Sequence, residues 1–423
     1  MTPKNADKLP GKQHIVVVGA GFVGLSTALY LLRDGHQVTL VDREGAGKGA
    51  SFGNASVFAV DAVAPVAMPG LLHNIPKMIL DPLSPLAVRW SYLPKLSPWL
   101  LRFVAASRPA RVEAIARALA SLLKGSLEAY ELLLSREEAS RHIIKRGWIG
   151  AYTSQAAMDA AGSYHDLQRR HGCRMELLGP DDLRQMEPSL SRDLAGGVLY
   201  PDTSHCLEPY GFCRLLARAA QRQGAQLVIA EAQGVRRAEN LVTALVTNQG
   251  EIACDGLVVA AGAWSGPLSK ALGAPTPLDT ERGYHLTIKQ PGVSLSRPVY
   301  STQYGFAMTP LGEGFRIAGT VELGGLKAPP NWHRADQLLT RARLFLPDLQ
   351  DGDKERWMGF RPSMPDSLPV ISASPEVRNA WLGYGHGHLG LTLGARTGSI
   401  LSDLVAGRDS GFDLAPYRAD RFF

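Results

Sequence analysis

The residues with the most chemical content come early in the chain. Gly19, Gly21 and Gly24 stand in the spacing G-x-G-x-x-G, and Asp42 follows at the end of the next apolar run. Each glycine has a physical task in such a spacing. The first lets the backbone turn sharply after a strand, and the second lets N–H groups approach a pyrophosphate. The third lets a helix pack closely on that strand. The pyrophosphate then sits at the positive end of the helix. A carboxylate at Asp42 can accept from ribose hydroxyls. The spacing alone is weak, but a strand, helix, second strand and acidic residue around it make a dinucleotide site the expectation.

Those elements can be read directly. Residues 15–18 form a buried-strand run, 25–33 a helix closed by Gly35, and 38–41 a second strand. Together they make one βαβ unit. Residues 71–104 are apolar but interrupted by Pro76, Pro82, Pro85, Pro94 and Pro98, which predicts short broken helices. Residues 110–140 read as one or two amphipathic helices. From Trp148 the pattern turns strand-like. Residues 209–224 read as a helix opened by Pro209 and ended by Gly224. Strands are expected at 226–231, 242–247 and 256–260, and residues 283–320 alternate like sheet. Helices are expected at 333–345 and 388–407.

Composition narrows the class. Of 423 residues, 45% are apolar and 20% charged, which suits a globular protein. A net charge of +6 is modest, and no dense Lys/Arg run or nucleic-acid-binding module is present, so no nucleic-acid partner is expected. The four cysteines, Cys173, Cys206, Cys213 and Cys254, form no C-x-x-C pair, so no metal site is expected. The first thirteen residues lack an apolar core, and no run of about 18 apolar residues occurs, so neither a signal peptide nor a spanning helix is expected. A cytoplasmic location is the expectation.

Four further segments carry the assignment beyond a generic dinucleotide site. Leu257-Val-Val-Ala-Ala-Gly262-Ala-Trp264-Ser265 is a buried strand ending in small residues and a glycine turn. It resembles the second flavin motif of two-dinucleotide-binding-fold flavoproteins. Lys48 to Ser56 (KGASFGNAS) is a loop of small residues, read either as backbone approaching an isoalloxazine ring or as an ordinary flexible loop. Gly359 to Pro369 reads GFRPSMPDSLP, and Gly383 to Thr392 reads GYGHGHLGLT before a helix. A glycine turn opening a helix suits an electron-rich flavin, because the helix dipole stabilises the reduced anion. Together with RGYHL at Arg282 to Leu286, these segments resemble the D-amino acid oxidase (glycine oxidase, sarcosine oxidase) family. Among its branches they look most like the small subunit of bacterial D-amino acid dehydrogenase and its D-hydroxyproline-type relatives. The resemblance spans residues 14–407.

The resemblance implies the fold: α/β, with a Rossmann-like FAD-binding domain of the two-dinucleotide-binding type. An inserted α+β substrate domain carries a mixed or antiparallel sheet. The FAD domain is expected at 12–70, 208–281 and 357–423, and the substrate domain at 71–207 and 283–356. The implied FAD contacts are Gly19, Ala20, Gly21, Gly24, Asp42, Arg43, Ser51, Asn54, Ala55, Ser56, Val235, Gly262, Trp264, Gly387, Leu389, Gly390 and Thr392. Neither a cysteine after the GFRP-like segment nor a histidine in the early loop is present, so the FAD should be noncovalent.

The resemblance also implies the chemistry, hydride transfer from the Cα of an amine or amino acid to flavin N5. The imino acid formed is then hydrolysed. Arg361 matches the family arginine that grips the substrate carboxylate, for which a planar guanidinium is suited. His388 stands where glycine oxidase-like members carry a second arginine, and either polarises the substrate or hydrogen-bonds the backbone. Tyr284 either bonds the carboxylate or packs in the sheet. His205 and Glu208 read as structural. The expected reaction is oxidative deamination of a D-amino acid, with D-proline or D-hydroxyproline as an alternative substrate. The expected acceptor is a membrane quinone, reached by peripheral contact of residues 71–104 with the inner face of the membrane. Alternatives are a soluble glycine- or sarcosine-type oxidase, one subunit of a heteromeric dehydrogenase, or a tRNA-modifying flavoprotein.

Overall fold

The computed structural model describes residues 11–69 and 86–423. His14–Val18 lies almost wholly buried in a six-stranded sheet, as a β-branched run covered on both faces should. The order across this sheet is Gln226–Ile229, Gln37–Asp42, His14–Val18, Gly256–Val259, Ala380–Tyr384 and Val370–Ala373. All neighbours are parallel except the last pair. The chain therefore returns to opposite sides of the first strand, and the crevice at its carboxyl end is where such sheets bind dinucleotides. Gly19 lies in that crevice with φ +105°, and a Cβ there would overlap the carbonyl of Ala260 from the neighbouring strand end. The two turns thus approach within a distance only glycine allows.

A nine-stranded, mixed but mostly antiparallel sheet forms the second layer. Lys354–Ser363, Asp279–Ile288, Phe315–Leu323 and Phe306–Pro310 run antiparallel in that order, and Leu86–Val88 pairs with Phe315–Leu323 in parallel. Val299–Ser301 then joins Trp148–Tyr152 in parallel. Helix His333–Ala342 packs its apolar side onto this sheet around Leu338, Leu339, Phe345 and Leu346. Both Asp279–Ile288 and Lys354–Ser363 cross the expected domain boundaries and run from one layer toward the other.

The first helix, Phe22–Arg33, begins earlier than its apolar periodicity suggested. Gly21 is extended, so the hydrogen bond from Leu25 N–H to Gly21 O closes the first turn at 2.9 Å. This helix packs along Gly390–Val405. Cβ atoms at Gly394 and Gly398 would stand 2.9 Å from Phe22 Cβ and 2.7 Å from Thr27 N respectively. The glycines bring the helices together and their N-termini to one place.

Several expectations on the helical side need correction. Leu93–Ala106 is one unbroken helix that runs through Pro98. The carbonyl of Pro94, four residues earlier, instead accepts from Ser97 Oγ at 2.9 Å. Pro76, Pro82 and Pro85 lie outside the described residues. Residues 110–140 hold three helices, not one or two. The breaks come at Gly125, which is left-handed, and at Ser135, which forms a capping box with Glu138. The region after Trp148 read as strand also contains the helices Gln155–Ala160, Gly162–Arg170 and Pro180–Met186. Ala232–Ala238 and Gly250–Ala253 complete a small antiparallel sheet with Leu241–Thr247.

Candidate active site

A cavity of about 600 Å³ runs from the crevice of the six-stranded sheet to the face of the nine-stranded one. At the first end Gly19, Gly21, Asp42, Arg43, Gly262 and Trp264 line it. Asp42 holds the turn together. Its Oδ2 accepts from Ala20 N–H at 2.8 Å, and its Oδ1 accepts from Glu44 and Gly45 N–H at 2.9 Å each. A carboxylate has about four acceptor positions, so one remains for a ribose hydroxyl. Arg43 lies flat over Trp264, its Cζ 3.4 Å from the ring centroid. The first turns of Phe22–Arg33 and Gly390–Val405 contain no acidic residue, and both helices begin on the cavity. Two positive helix ends therefore face one space, an arrangement suited to a phosphate and a reduced flavin.

The loop of small residues is tied down rather than free. The carbonyls of Asn54 and Ala55 accept from Arg316 Nη1 and Thr309 Oγ1 at 2.9 and 2.8 Å. Gly53 O meets His285 Nδ1 at 2.9 Å. Burial depresses His285 to about 3, so it is neutral and donates that proton. Asn54 braces the loop internally, from Nδ2 to Ser51 O and from Ser56 N–H to Oδ1. A Cβ at Gly53 would overlap the Trp357 ring. With these carbonyls drawn toward the nine-stranded sheet, Gly49, Ser51, Gly53, Asn54 and Ala55 line the cavity. The cradle fits FAD: a glycine crevice, two helix ends and a small-residue loop, each held by contacts of its own.

At the far end Arg361, Glu281, His388, Gly387 and Tyr300 line the cavity. Arg361 donates from Nη1 to Thr320 O at 3.0 Å and from Nη2 to Gly319 O at 3.5 Å, and it forms no ion pair among the described residues. Burial lowers its pKa, and the Glu281 carboxylate acts in the opposite sense. Glu281 faces Arg361 in register across the two strands. Its Oε1 accepts from Ser363 Oγ at 2.6 Å. Gly283 leaves room for the guanidinium, since a Cβ there would overlap Arg361 Cζ. His388 is exposed to the cavity, where desolvation pulls its pKa down while Glu281 pushes it up. The neighbouring His386 is held neutral by burial, at about 3, and meets Thr397 Oγ1 at 2.8 Å.

Tyr284 requires correction as a carboxylate ligand. Its ring lines the cavity, but its hydroxyl donates to Glu322 and accepts from Asn331 N–H at 3.0 Å. Having spent its one proton, it cannot donate to a substrate carboxylate. Glu322 also pairs with Arg282 at 2.9 Å and Arg89 at 2.7 Å, forming a buried structural cluster. Glu281 is the residue that motif reading missed. It immediately precedes the RGYHL segment, so the signal lay one position upstream.

Several expected FAD contacts do not line the cavity. Ala20 and Gly24 shape the turn, and a Cβ at Gly24 would overlap Gly19 O. Ser56 is buried at φ +62°, its carbonyl accepting from Cys206 N–H at 2.7 Å. Leu389 belongs to the core, and Thr392 Oγ1 accepts from Ala59 N–H at 3.1 Å. Val235 packs against the small sheet's core, and the cavity touches that segment at Ala232 and Gln233 instead. His205 sits buried in a short strand, and Glu208 caps the helix Pro209–Arg222, both structural positions.

The crevice, the paired helix ends and the arginine opposite them define a dinucleotide-dependent enzyme. Residues 14–404 match the DAO family of FAD dependent oxidoreductases, and the chain belongs to it. A D-amino-acid oxidase of Bradyrhizobium diazoefficiens is 39% identical, covering 98% of this chain and 100% of that protein. A D-amino acid dehydrogenase of Paramagnetospirillum magneticum is 34% identical, covering 96% and 98%. Among solved structures, iminodiacetate oxidase from Chelativorans superposes with a TM-score of 0.73 at 21% identity, over 96% and 98% of the chains. An L-proline dehydrogenase from P. horikoshii superposes at 0.72 and 19%, over 98% of each. The protein is thus an FAD-dependent oxidoreductase with the expected α/β fold.

Proposed function

We propose that the protein oxidises a D-amino acid to the imino acid, which water converts to the 2-oxo acid, and that electrons leave to a membrane quinone. The observation that carries this reading is the half-buried Arg361 guanidinium, bonded only to backbone carbonyls among the described residues, at the end of the cavity opposite the dinucleotide crevice. A fixed planar cation in a partly desolvated site selects a carboxylate. FAD, when bound, supplies the acceptor for the Cα hydride. Arg361 fixes the carboxylate, and Glu281 is placed to receive the amine or its proton. His388 can donate one hydrogen bond to the substrate. The names of the two relatives support the D-configuration.

The test is anaerobic bleaching of the bound flavin across D-, L- and N-methyl amino acids, D-proline among them. Bleaching by D-amino acids is expected; bleaching confined to L- or N-methyl compounds overturns the reading. A second acceptor is favoured by one fact, that the relative at 39% identity is named an oxidase. Stoichiometric hydrogen peroxide in air assigns oxygen, and reduction of a quinone or dichlorophenolindophenol without peroxide assigns the quinone. The flavin should be released by acid, as expected for noncovalent FAD. Asp42→Ala should weaken its retention by roughly 1.5–3 kcal/mol, read as a raised FAD Kd.

A further inference from the structure

The cavity has a second charged pole. Asp61 lines it and is buried, at 4% exposure. Its carbonyl accepts from Gln168 Nε2 at 3.0 Å and from Cys173 Sγ at 3.6 Å. Its Oδ2 meets the same Gln168 nitrogen at 3.4 Å, while Oδ1 has no partner among the described residues. Gln168 is itself oriented by Tyr200, whose hydroxyl donates to Gln168 Oε1 at 2.9 Å. Trp148, Tyr164 and Tyr300 line the cavity beside Asp61, with Trp148 stacked on Tyr300 at 5.1 Å between centroids. The Trp148 indole N–H closes no hydrogen bond to a protein group.

Among the described residues no cation pairs with this carboxylate. Burial pushes Asp61 up to about 7, and the groups acting on it are Trp148, Gln168 and its own backbone. The titratable groups around it are Tyr152, Tyr164, Tyr200, Tyr300 and Cys173, all raised by burial and all neutral near pH 7. Tyr300 lines the same cavity as Asp61 and Arg361 and responds to both charges. A buried carboxylate with an unmet oxygen is costly unless a partner arrives. Aromatic faces around it favour a cationic partner.

We propose that the Asp61 pole is the substrate side-chain pocket and selects amino acids whose side chains end in an ammonium or guanidinium group. Asp61 pairs with that group while Arg361 holds the carboxylate at the other pole. The inference rests on the reading of this cavity as an amino acid site. It makes Asp61, Trp148 and Tyr300 specificity residues, in a part of the chain where motifs gave no signal.

The test uses the FAD-loaded protein and two acids that cannot be oxidised, 5-guanidinopentanoate and hexanoate, titrated by calorimetry. Both carry the carboxylate for Arg361, and only the first carries a cation for Asp61. At pH 8 the guanidino acid should bind about tenfold or more tightly. Asp61→Asn should abolish that preference while keeping hexanoate affinity and FAD content, and Asp61→Leu should favour hexanoate. In the native protein the preference should grow as pH rises from about 6 to 8 and Asp61 loses its proton; in Asp61→Asn it should stay flat. Equal affinities in the native protein, or a preference that survives Asp61→Asn, overturn the inference. Turnover separates it from the broader reading. A guanidino preference without flavin bleaching by any D-amino acid keeps the pocket and removes the proposed reaction. Bleaching that is no faster with D-arginine or D-lysine than with D-norleucine keeps the reaction and removes the pocket.

Discussion

A partly desolvated guanidinium without an ion-pair partner among the described residues is costly to keep, and Arg361 is such a group. Its cost is offset when a carboxylate binds, which is why Arg361→Met should remove roughly 3–5 kcal/mol of transition-state stabilisation, about a hundredfold to several-thousandfold in kcat/KM. Arg361→Lys should recover only part, since an ammonium cannot present a planar fork. The comparison that isolates the carboxylate is an amino acid against its decarboxylated amine. The native protein should prefer the acid strongly, and Arg361→Met should lose most of that preference at unchanged FAD content. Retention of the full preference would assign the carboxylate to another residue. His388→Ala should cost less, because desolvation lowers the pKa of that imidazole and it contributes at most a hydrogen bond. Arg361 was legible from its place in the GFRP segment. Glu281 and Asp61 were not, because a lone carboxylate beside a motif or in a loop carries no spacing that distinguishes it from a surface acid.

The elements that place these residues were legible where periodicity is long. The βαβ unit, the Pro209–Arg222 helix and the antiparallel run around Asp279–Leu323 stand close to their expected positions. Misreadings came where a short local signal outweighed the pattern. Ser135 with Glu138 stops one helix and starts another, and the four-residue spacing of Gly394 and Gly398 marks close packing. Pro98 was read as a break although its lost hydrogen bond is replaced locally. The glycine spacing yields a prediction. Gly398→Val would drive two methyl groups into the backbone at Ser26 and Thr27, a strain of roughly 1–3 kcal/mol. It should also spread the two helix ends that face the cavity. A lower Tm together with a raised FAD Kd is therefore expected in Gly398→Val, while Gly407→Ala, beyond the helix contact, should leave the FAD Kd unchanged. An unchanged Kd in both would separate helix spacing from cofactor binding.

Over the whole molecule the two sheets enclose the cavity between them, so an electron acceptor must approach from outside. The described part of residues 71–104 bears on that approach. Leu96 and Trp99 pack inward on Leu323, yet Trp90 and Leu101 are 67% and 73% exposed. Lys95 and Arg102 flank them in the open, with Arg108 and Arg111 beyond. Among the described residues no helix is long and apolar enough to cross a membrane. A surface with exposed tryptophan and leucine among basic side chains suits peripheral contact with anionic lipid. Burying each large apolar side chain contributes roughly 1.5–3 kcal/mol, and each nearby cation about 1 kcal/mol. The protein should therefore sediment with anionic vesicles at low salt and be released as salt screens the cations. Trp90→Ser with Leu101→Ser should lower vesicle partitioning by roughly tenfold or more at unchanged turnover with a soluble dye. Turnover with a quinone dissolved in the vesicles should fall in parallel. Absence of vesicle binding at low salt, or binding that ignores both substitutions, would show that this face does not meet the membrane and that the acceptor reaches the flavin by another route.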